Sequence, residues 1–226
     1  MDESYLKKYH KDIQILNDAF VVFQLPPQWK NIFQEDSRSL RVEKTITLWK
    51  SCMEGYLDNV IAYLEENLYD VTLVEYSNRK SIIYSVYNTK GKLLYYEGRL
   101  PKAVTFCDFP QTLNNENNPI KLFYEKLHNG FVYYASQNMG LHPLEKIDTI
   151  DFNDFEIIQE LNIEIKISFS NSYIFFSSGL GAYVVVDFMD NSPFKNASVW
   201  FNDKEPRYNV DFWDIIDIWI KMGFEL

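Results

Sequence analysis

The sequence predicts an α+β fold in which helices pack on an antiparallel β-sheet. Apolar residues recur every three or four positions over 41–68, which is the period of a helix with one buried face. Residues 163–169 alternate strictly between apolar and polar, as in a strand buried on one face. The predicted helices and strands also form separate runs instead of alternating along the chain. Because 46% of the 226 residues are apolar, the chain can fill a packed core.

The first hundred residues are predicted to form two helices and then a meander of three strands. The first helix covers 3–23 and must end before Pro26 and Pro27, because proline lacks the N–H that a helix interior requires. The second helix covers 41–68. Gly91 can adopt the positive φ that the last hairpin turn needs. The three strands are predicted at 71–76, 81–87 and 92–97.

The first element predicted after residue 118 is a helix over 119–128. Asn118 is its cap, proline occupies its first position, and Asn129-Gly130 provides a left-handed stop. A run of strands should follow. They are predicted at 163–169, 172–177, 182–188 and 198–201.

The last predicted helix covers 210–222 and is amphipathic. Asn209 is its expected cap, and acidic residues in its first turn complement the helix dipole. Trp213 and Trp219 lie six positions apart and cannot share one face. We expect Trp219 to be the more buried of the two.

Charge divides the chain into two parts. Residues 1–100 carry 14 acidic and 13 basic side chains, whereas 101–226 carry 18 acidic and 9 basic ones. The segment 101–119 contains three prolines and a polar run rich in asparagine, which is typical of a loop. We therefore predict an N-terminal extension or small α+β domain over 1–104 and a second domain over 105–226.

The overall charge argues against several classes of function. A net charge of −10 disfavours binding to nucleic acid or to an anionic membrane. No apolar stretch approaches the roughly 18 residues of a membrane-spanning helix, and the N-terminus lacks the apolar run of a signal peptide. We therefore expect a cytoplasmic protein, favour a monomer, and expect no direct contact with nucleic acid or membrane.

The residues that usually carry catalysis or bind metals are few and scattered. Cys52 and Cys107 lie among apolar neighbours, which indicates buried free thiols instead of a disulfide. His128 falls in the last turn of a predicted helix, where the dipole stabilises a partly positive imidazole. No CxxC or HExxH spacing occurs. We expect no catalytic residue, no cofactor and no metal.

An excess of acidic residues near the C-terminal end is the most informative polar feature. It can be a solvated face that aids solubility, or a surface that meets a basic partner. Calcium is a third reading, but the sequence Asp-Phe-Met-Asp-Asn-Ser lacks the glycine and distal glutamate of an EF-hand loop. The candidate partner-binding residues are Asp187, Asp190, Asp203, Glu205, Asp211, Asp214 and Asp217.

Four short segments of the second part carry a family resemblance. They are Phe123–Phe131, Pro143-Leu144 before a strand, Ala182–Asp187, and Asn209–Trp213 at the start of the last helix. Over about residues 105–226 they resemble the SUKH superfamily. This SMI/KNR-type group includes fungal cell-wall-assembly regulators and many bacterial immunity proteins.

The resemblance implies a SUKH-like domain that acts as a non-enzymatic binding module. It implies most directly a bacterial immunity protein that neutralises a cognate polymorphic toxin of the nuclease or deaminase class by binding it. Toxins that act on nucleic acid tend to be basic, so an acidic partner suits them. The alternative is a regulatory scaffold of the cell-wall-assembly type. A small-molecule enzyme is the third reading, and a deep pocket lined by titratable residues would favour it.

Overall fold

Ten antiparallel strands form a single sheet in which the spatial order of the strands is their order along the chain. The computed structural model describes residues 2–104, 118–150, 164–190 and 192–226. Helices and sheet are thus combined in one α+β fold, as the sequence predicts. Among the described residues, no helix has the length and apolar character needed to cross a membrane.

The helices and strands have the following bounds. The helices are α1 (Glu3–Lys7), α2 (Ala19–Phe23), α3 (Pro27–Phe33), α4 (Arg38–Met53), α5 (Asp58–Asn67), α6 (Pro119–Leu122, continued by a π-helical turn at Phe123–Leu127) and α7 (Phe212–Glu225). The strands are β1 (Gln14–Ile15), β2 (Leu68–Tyr76), β3 (Arg79–Tyr87), β4 (Leu93–Arg99), β5 (Phe131–Tyr133), β6 (Asn138–Leu141), β7 (Ser172–Ser177), β8 (Ala182–Asp187), β9 (Ala197–Phe201) and β10 (Arg207–Val210).

The predicted first helix over 3–23 is wrong, because this segment contains two short helices with strand β1 between them. Asp2 and Asp18 each cap a separate helix through their side chains. Between the two helices, Gln14 and Ile15 pair with β2 at the edge of the sheet. Hydrogen bonds to that edge, together with burial of Ile13 on the sheet, take the place of the backbone hydrogen bonds of a continuous helix.

The predicted second helix over 41–68 is interrupted. It consists of α4 and α5, which are separated by a turn at residues 54–57. Gly55 in this turn has a φ of +82°, a conformation that favours glycine and cannot continue a helix. Because the apolar period resumes after the turn, the pattern alone does not reveal the break.

The sheet continues without a break from the N-terminal part into the C-terminal part. Gly98 of β4 pairs with Phe131 of β5. Trp49 of α4 packs against Phe131, with ring centroids 5.2 Å apart, and both side chains belong to one hydrophobic core. The proposed boundary at 104/105 adjoins residues 105–117, which lie outside the described residues.

No strand forms in the described portion of the predicted strand 163–169. Residues 164–168 are irregular and 169–171 form a 3-10 turn, while residue 163 is not described. The neighbouring strand β7 already has β6 and β8 on its two sides, so no open edge is left for pairing there. The alternation instead reflects one-sided packing, because Ile165, Ile167 and Phe169 contact the cluster around Trp200.

The two faces of the sheet are covered differently. Helices α3 to α7 pack on one face and form the main core. The segment that contains α1 covers part of the other face, where Leu6 and Ile13 pack on Val74 and Tyr76. Because residues of β3 alternate between these faces, Tyr84 points to the main core and Ile83 to the smaller cluster.

The last helix begins later than predicted. The cap is Asp211, whose side chain accepts hydrogen bonds from the Trp213 and Asp214 amides, while Asn209 lies in β10 with a φ of +55°. The buried face also differs from the predicted one, because it includes Trp213 and Asp217. Trp213 is 5% exposed and Trp219 is only partly buried, so the expected order of burial was wrong.

Candidate partner-binding site

The structure does not gather the seven acidic residues into one surface. Asp203 and Glu205 are exposed in the turn between β9 and β10. At the other end of these strands lie Asp187, Asp190, Asp211 and Asp214. Since β10 has four residues, the two groups are separated by roughly 14 Å of strand.

Asp217 is not a surface residue, which corrects its assignment to the partner-binding set. Its side chain lies in the interior, with a residue exposure of 6%. The carboxylate accepts hydrogen bonds from the Asn59 amide at 3.0 Å, the Asn59 side chain at 2.8 Å and the Val60 amide at 2.8 Å. These amides open α5, so Asp217 caps that helix from α7.

Three of the remaining carboxylates hold the chain in place. Asp187 accepts from the Ser168 and Met189 amides, and Asp190 accepts from the Ser192 amide and the Asn196 side chain. Asp211 caps α7 and forms an ion pair with Lys195, an interaction that raises the pKa of the lysine. These residues therefore build the local structure.

Asp214 differs from its neighbours. It is exposed in the first turn of α7, and its carboxylate accepts no hydrogen bond from the described part of the chain. Its charge also acts on Lys195, where it contributes, after Asp211, to the raised pKa of the lysine.

A pocket of about 280 Å³ lies beside Asp214. Four parts of the chain form its wall: the turn between α4 and α5, the start of α6, the loop before β9 and the start of α7. The lining residues that carry chemistry are Tyr56, Lys195, Asp211, Trp213 and Asp214. We call this cavity the acidic pocket.

Trp213 gives the acidic pocket an unused hydrogen-bond donor. Its ring is packed between Tyr56, at a centroid distance of 5.9 Å, and Phe123, at 6.4 Å. The indole Nε1 is buried and has no hydrogen-bond partner within the described ranges of the chain. A buried donor without a partner costs about 1 to 3 kcal/mol, so an acceptor supplied by a bound molecule would be stabilising.

The combination of groups suits a basic side chain followed by a carbonyl group. A guanidinium or ammonium group can pair with Asp214 and lie against the ring of Tyr56, which is 39% exposed. The Trp213 N–H can donate to a peptide carbonyl oxygen. The sequence pointed to Asp211 and Asp214 but not to Tyr56 and Trp213, because Tyr56 is distant in the chain and was counted in the apolar stripe of the predicted helix over 41–68.

His128 belongs to a closed polar chain within the core. The carbonyl of Arg99 can only accept, so His128 Nδ1 carries the proton and donates to it at 3.0 Å. His128 Nε2 then accepts from the Tyr84 hydroxyl at 2.7 Å, which accepts from Trp49 Nε1 at 2.9 Å. Burial lowers the pKa of His128 to about 3. The imidazole is therefore neutral, which corrects the expected partly positive state.

A second buried network surrounds Glu97. Its carboxylate accepts hydrogen bonds from Tyr76 at 2.5 Å, Ser81 at 2.6 Å and Gln137 at 2.8 Å. Arg79 lies 3.6 Å from it. The hydrogen bonds of the carboxylate are thus satisfied within the protein, and the bond from Ser81 links β4 to its neighbour β3.

Metal-binding and thiol residues give no further site within the described ranges. No group of three or more histidine, cysteine, aspartate or glutamate side chains that could hold a metal ion occurs there. Cys52 is a buried free thiol, as predicted, and Cys107 lies outside the described residues.

Comparison of the chain with protein-family models, with curated proteins and with solved structures gives no match.

Proposed function

We propose that this chain is a non-enzymatic binding module that captures a basic protein at the acidic pocket. The observation that carries the proposal is that one pocket is lined by both Asp214, which is exposed, and Trp213, whose buried N–H has no hydrogen-bond partner among the described residues. On the resemblance of residues 105–226 to the SUKH superfamily, the partner is a bacterial toxin and the chain is its immunity protein.

The size of the acidic pocket favours a side chain of a protein over a complete small ligand. Its volume of about 280 Å³ lies just below the range of roughly 300 to 1,000 Å³ that is usual for small-molecule sites. Buried aromatic and arginine contacts in such pockets often supply much of the binding energy of a protein interface. One arginine or lysine of the partner would fill the site.

The charge of the whole chain supports a basic partner. The formal net charge is −10, and most of the excess lies in residues 101–226. Complementary charge accelerates association and disfavours wrong partners.

The partner assignment is tested with the toxin domain encoded beside the gene for this chain. Co-production in a bacterial host is expected to give a stoichiometric complex and to restore growth. The absence of a toxin reading frame beside the gene, or toxicity that persists despite folded protein, would contradict the assignment to a toxin.

The acidic pocket is tested separately from the partner, with acetyl-arginine N-methylamide as the probe. We expect saturable shifts of the Trp213 indole N–H resonance at millimolar probe concentrations, because the carbonyl oxygen and the guanidinium match the two groups of the pocket. Nuclear magnetic resonance titration measures the shifts, and Trp213→Phe assigns the resonance.

Two controls accompany this titration. Acetyl-glutamate N-methylamide carries the wrong charge and should not saturate the site. Asp214→Asn should weaken binding of the arginine probe about 3- to 10-fold, since one ion pair in a partly exposed site is lost. Equal affinity for the two probes would rule out recognition of basic side chains.

Charge reversal distinguishes the two groups of acidic residues. Asp214→Lys should slow association with the toxin domain by about an order of magnitude, because it places a cation at the proposed contact. The pair Asp203→Lys and Glu205→Lys, at the other end of the strands, should slow it less and only at low salt. Stopped-flow fluorescence measures both rates.

The matched control reverses Glu43 and Glu66, which are exposed in the N-terminal part. If this pair slows association as much as Asp214→Lys, the interface lies elsewhere. If none of the variants changes the rate, the acidic residues serve only solubility.

A further inference from the structure

A second pocket, of about 400 Å³, lies at the opposite end of α7. Its wall is formed by β4, by the β5 to β6 and β7 to β8 hairpins, and by the last turn of α7. The lining residues used below are Tyr96, Tyr133, Ser136, Met139 and Gly223. We call this cavity the tyrosine pocket.

Tyr96 places an unused polar group in the tyrosine pocket. Its side chain is fully buried, and its ring packs against Phe131 at 5.4 Å and Phe224 at 4.6 Å between centroids. No described residue forms a hydrogen bond with the hydroxyl. Since more than nine in ten buried polar groups in proteins are paired, this hydroxyl requires an explanation.

Gly223 lets the Tyr96 hydroxyl pack directly against the backbone of α7. A Cβ at Gly223 would overlap the Tyr96 hydroxyl oxygen and the side chain of Met139. Met139 itself has a φ of +50°. A non-glycine residue pays about 1 kcal/mol or more for this left-handed conformation. The close packing around the hydroxyl therefore depends on a glycine and on one residue in a left-handed conformation.

We propose that the tyrosine pocket binds a small, uncharged aromatic molecule that carries one hydrogen-bonding group, and that the Tyr96 hydroxyl pairs with that group. No charged side chain is among the described residues that line the pocket, so an ion would lose its solvation without compensation. The rings of Tyr96 and Tyr133 and the sulfur of Met139 favour an aromatic ring.

This site does not depend on the proposed function. Twelve residues of α7 separate Asp211 from Gly223, which corresponds to about 18 Å along the helix. Loss of one site therefore need not affect the other, and each can be tested alone.

The probes are p-cresol, toluene and benzoate. They share a ring but differ in having a hydroxyl, no polar group or a charge. We expect saturable binding of p-cresol about 3- to 10-fold tighter than toluene, since one net hydrogen bond separates them, and weaker binding of benzoate. Ligand-observed and protein-observed nuclear magnetic resonance measure the affinities.

Tyr96→Phe is the decisive variant. It removes only the hydroxyl, so it should abolish the preference of p-cresol over toluene while toluene binding remains. Because the hydroxyl has no internal partner, the melting temperature should be unchanged or higher. Tyr87→Phe, which removes the hydroxyl of an exposed tyrosine outside the pocket, is the matched control and should keep the preference.

Each outcome has a definite meaning. The absence of saturable binding by p-cresol, or a preference that persists in Tyr96→Phe, would overturn the proposal. A lower melting temperature of Tyr96→Phe would show that the hydroxyl is satisfied internally, with the same consequence. Tighter binding of acetyl-tyrosine N-methylamide than of p-cresol would assign the pocket to a side chain of a protein partner and overturn the small-molecule assignment.

Discussion

Asp217→Ala is expected to lower the free energy of unfolding by about 3 to 5 kcal/mol. The substitution leaves the Asn59 and Val60 amides at the start of α5 without their acceptor. Hydrogen bonds to a buried charged group contribute about 1.5 to 3 kcal/mol each, and their loss is not fully additive. Urea unfolding followed by circular dichroism measures the change.

Asp214→Ala provides the matched control for this prediction. Asp214 precedes Asp217 by three residues on the same helix, but it is exposed and accepts no hydrogen bond from the described residues. Its removal should change stability by less than about 0.5 kcal/mol. Similar losses for the two variants would mean that Asp217 does not cap α5.

Stability is also expected to fall as the pH is lowered from 7.5 to 5. Burial lowers the pKa of His128 to about 3 and that of His142 to about 4. In the unfolded chain both titrate near their ordinary value of about 6.5. Below that pH the unfolded chain binds protons that the folded chain does not, so each histidine destabilises the fold by about 2 kcal/mol at pH 5.

The pH dependence is measured by urea unfolding at several pH values. His10, whose pKa is also lowered by burial, changes stability in the same direction. His142→Gln should remove about 2 kcal/mol of the loss between pH 7.5 and 5, whatever its effect at neutral pH. A wild-type stability that is constant over this range would disprove the neutral, buried state of these histidines.

The periodicity of the sequence was a good guide to elements that are long or well capped. The strands β2 to β4 and β7 to β9 were predicted close to their observed positions, and α6 was predicted from Asn118, whose side chain accepts from the Ile120 amide. The short strands were not predicted. Strand β1 has two residues and β5 has three, which is too few for a period, and both owe their conformation to pairing with a neighbouring strand.

Which of the acidic residues are buried could not be predicted from the sequence. Asp214 and Asp217 have the same chemistry and lie in the same helix, so composition groups them together. Only the position of α5, which contacts α7 at this point, shows that the Asp214 carboxylate is exposed and that the Asp217 carboxylate caps α5. Likewise, nothing in the spacing of Tyr56 and Trp213 indicates that their rings meet.

The two outer strands of the sheet limit how this protein can contact others. Strand β1 has only two residues, and β10 has four, with an irregular register against β9. Such short, irregular edges offer few consecutive backbone groups to an added strand, which protects against edge-to-edge aggregation. Strand addition to the sheet, a common mode of peptide capture, is therefore disfavoured. On the proposed function, side chains and not sheet edges would carry recognition, and single substitutions would change specificity without altering the sheet.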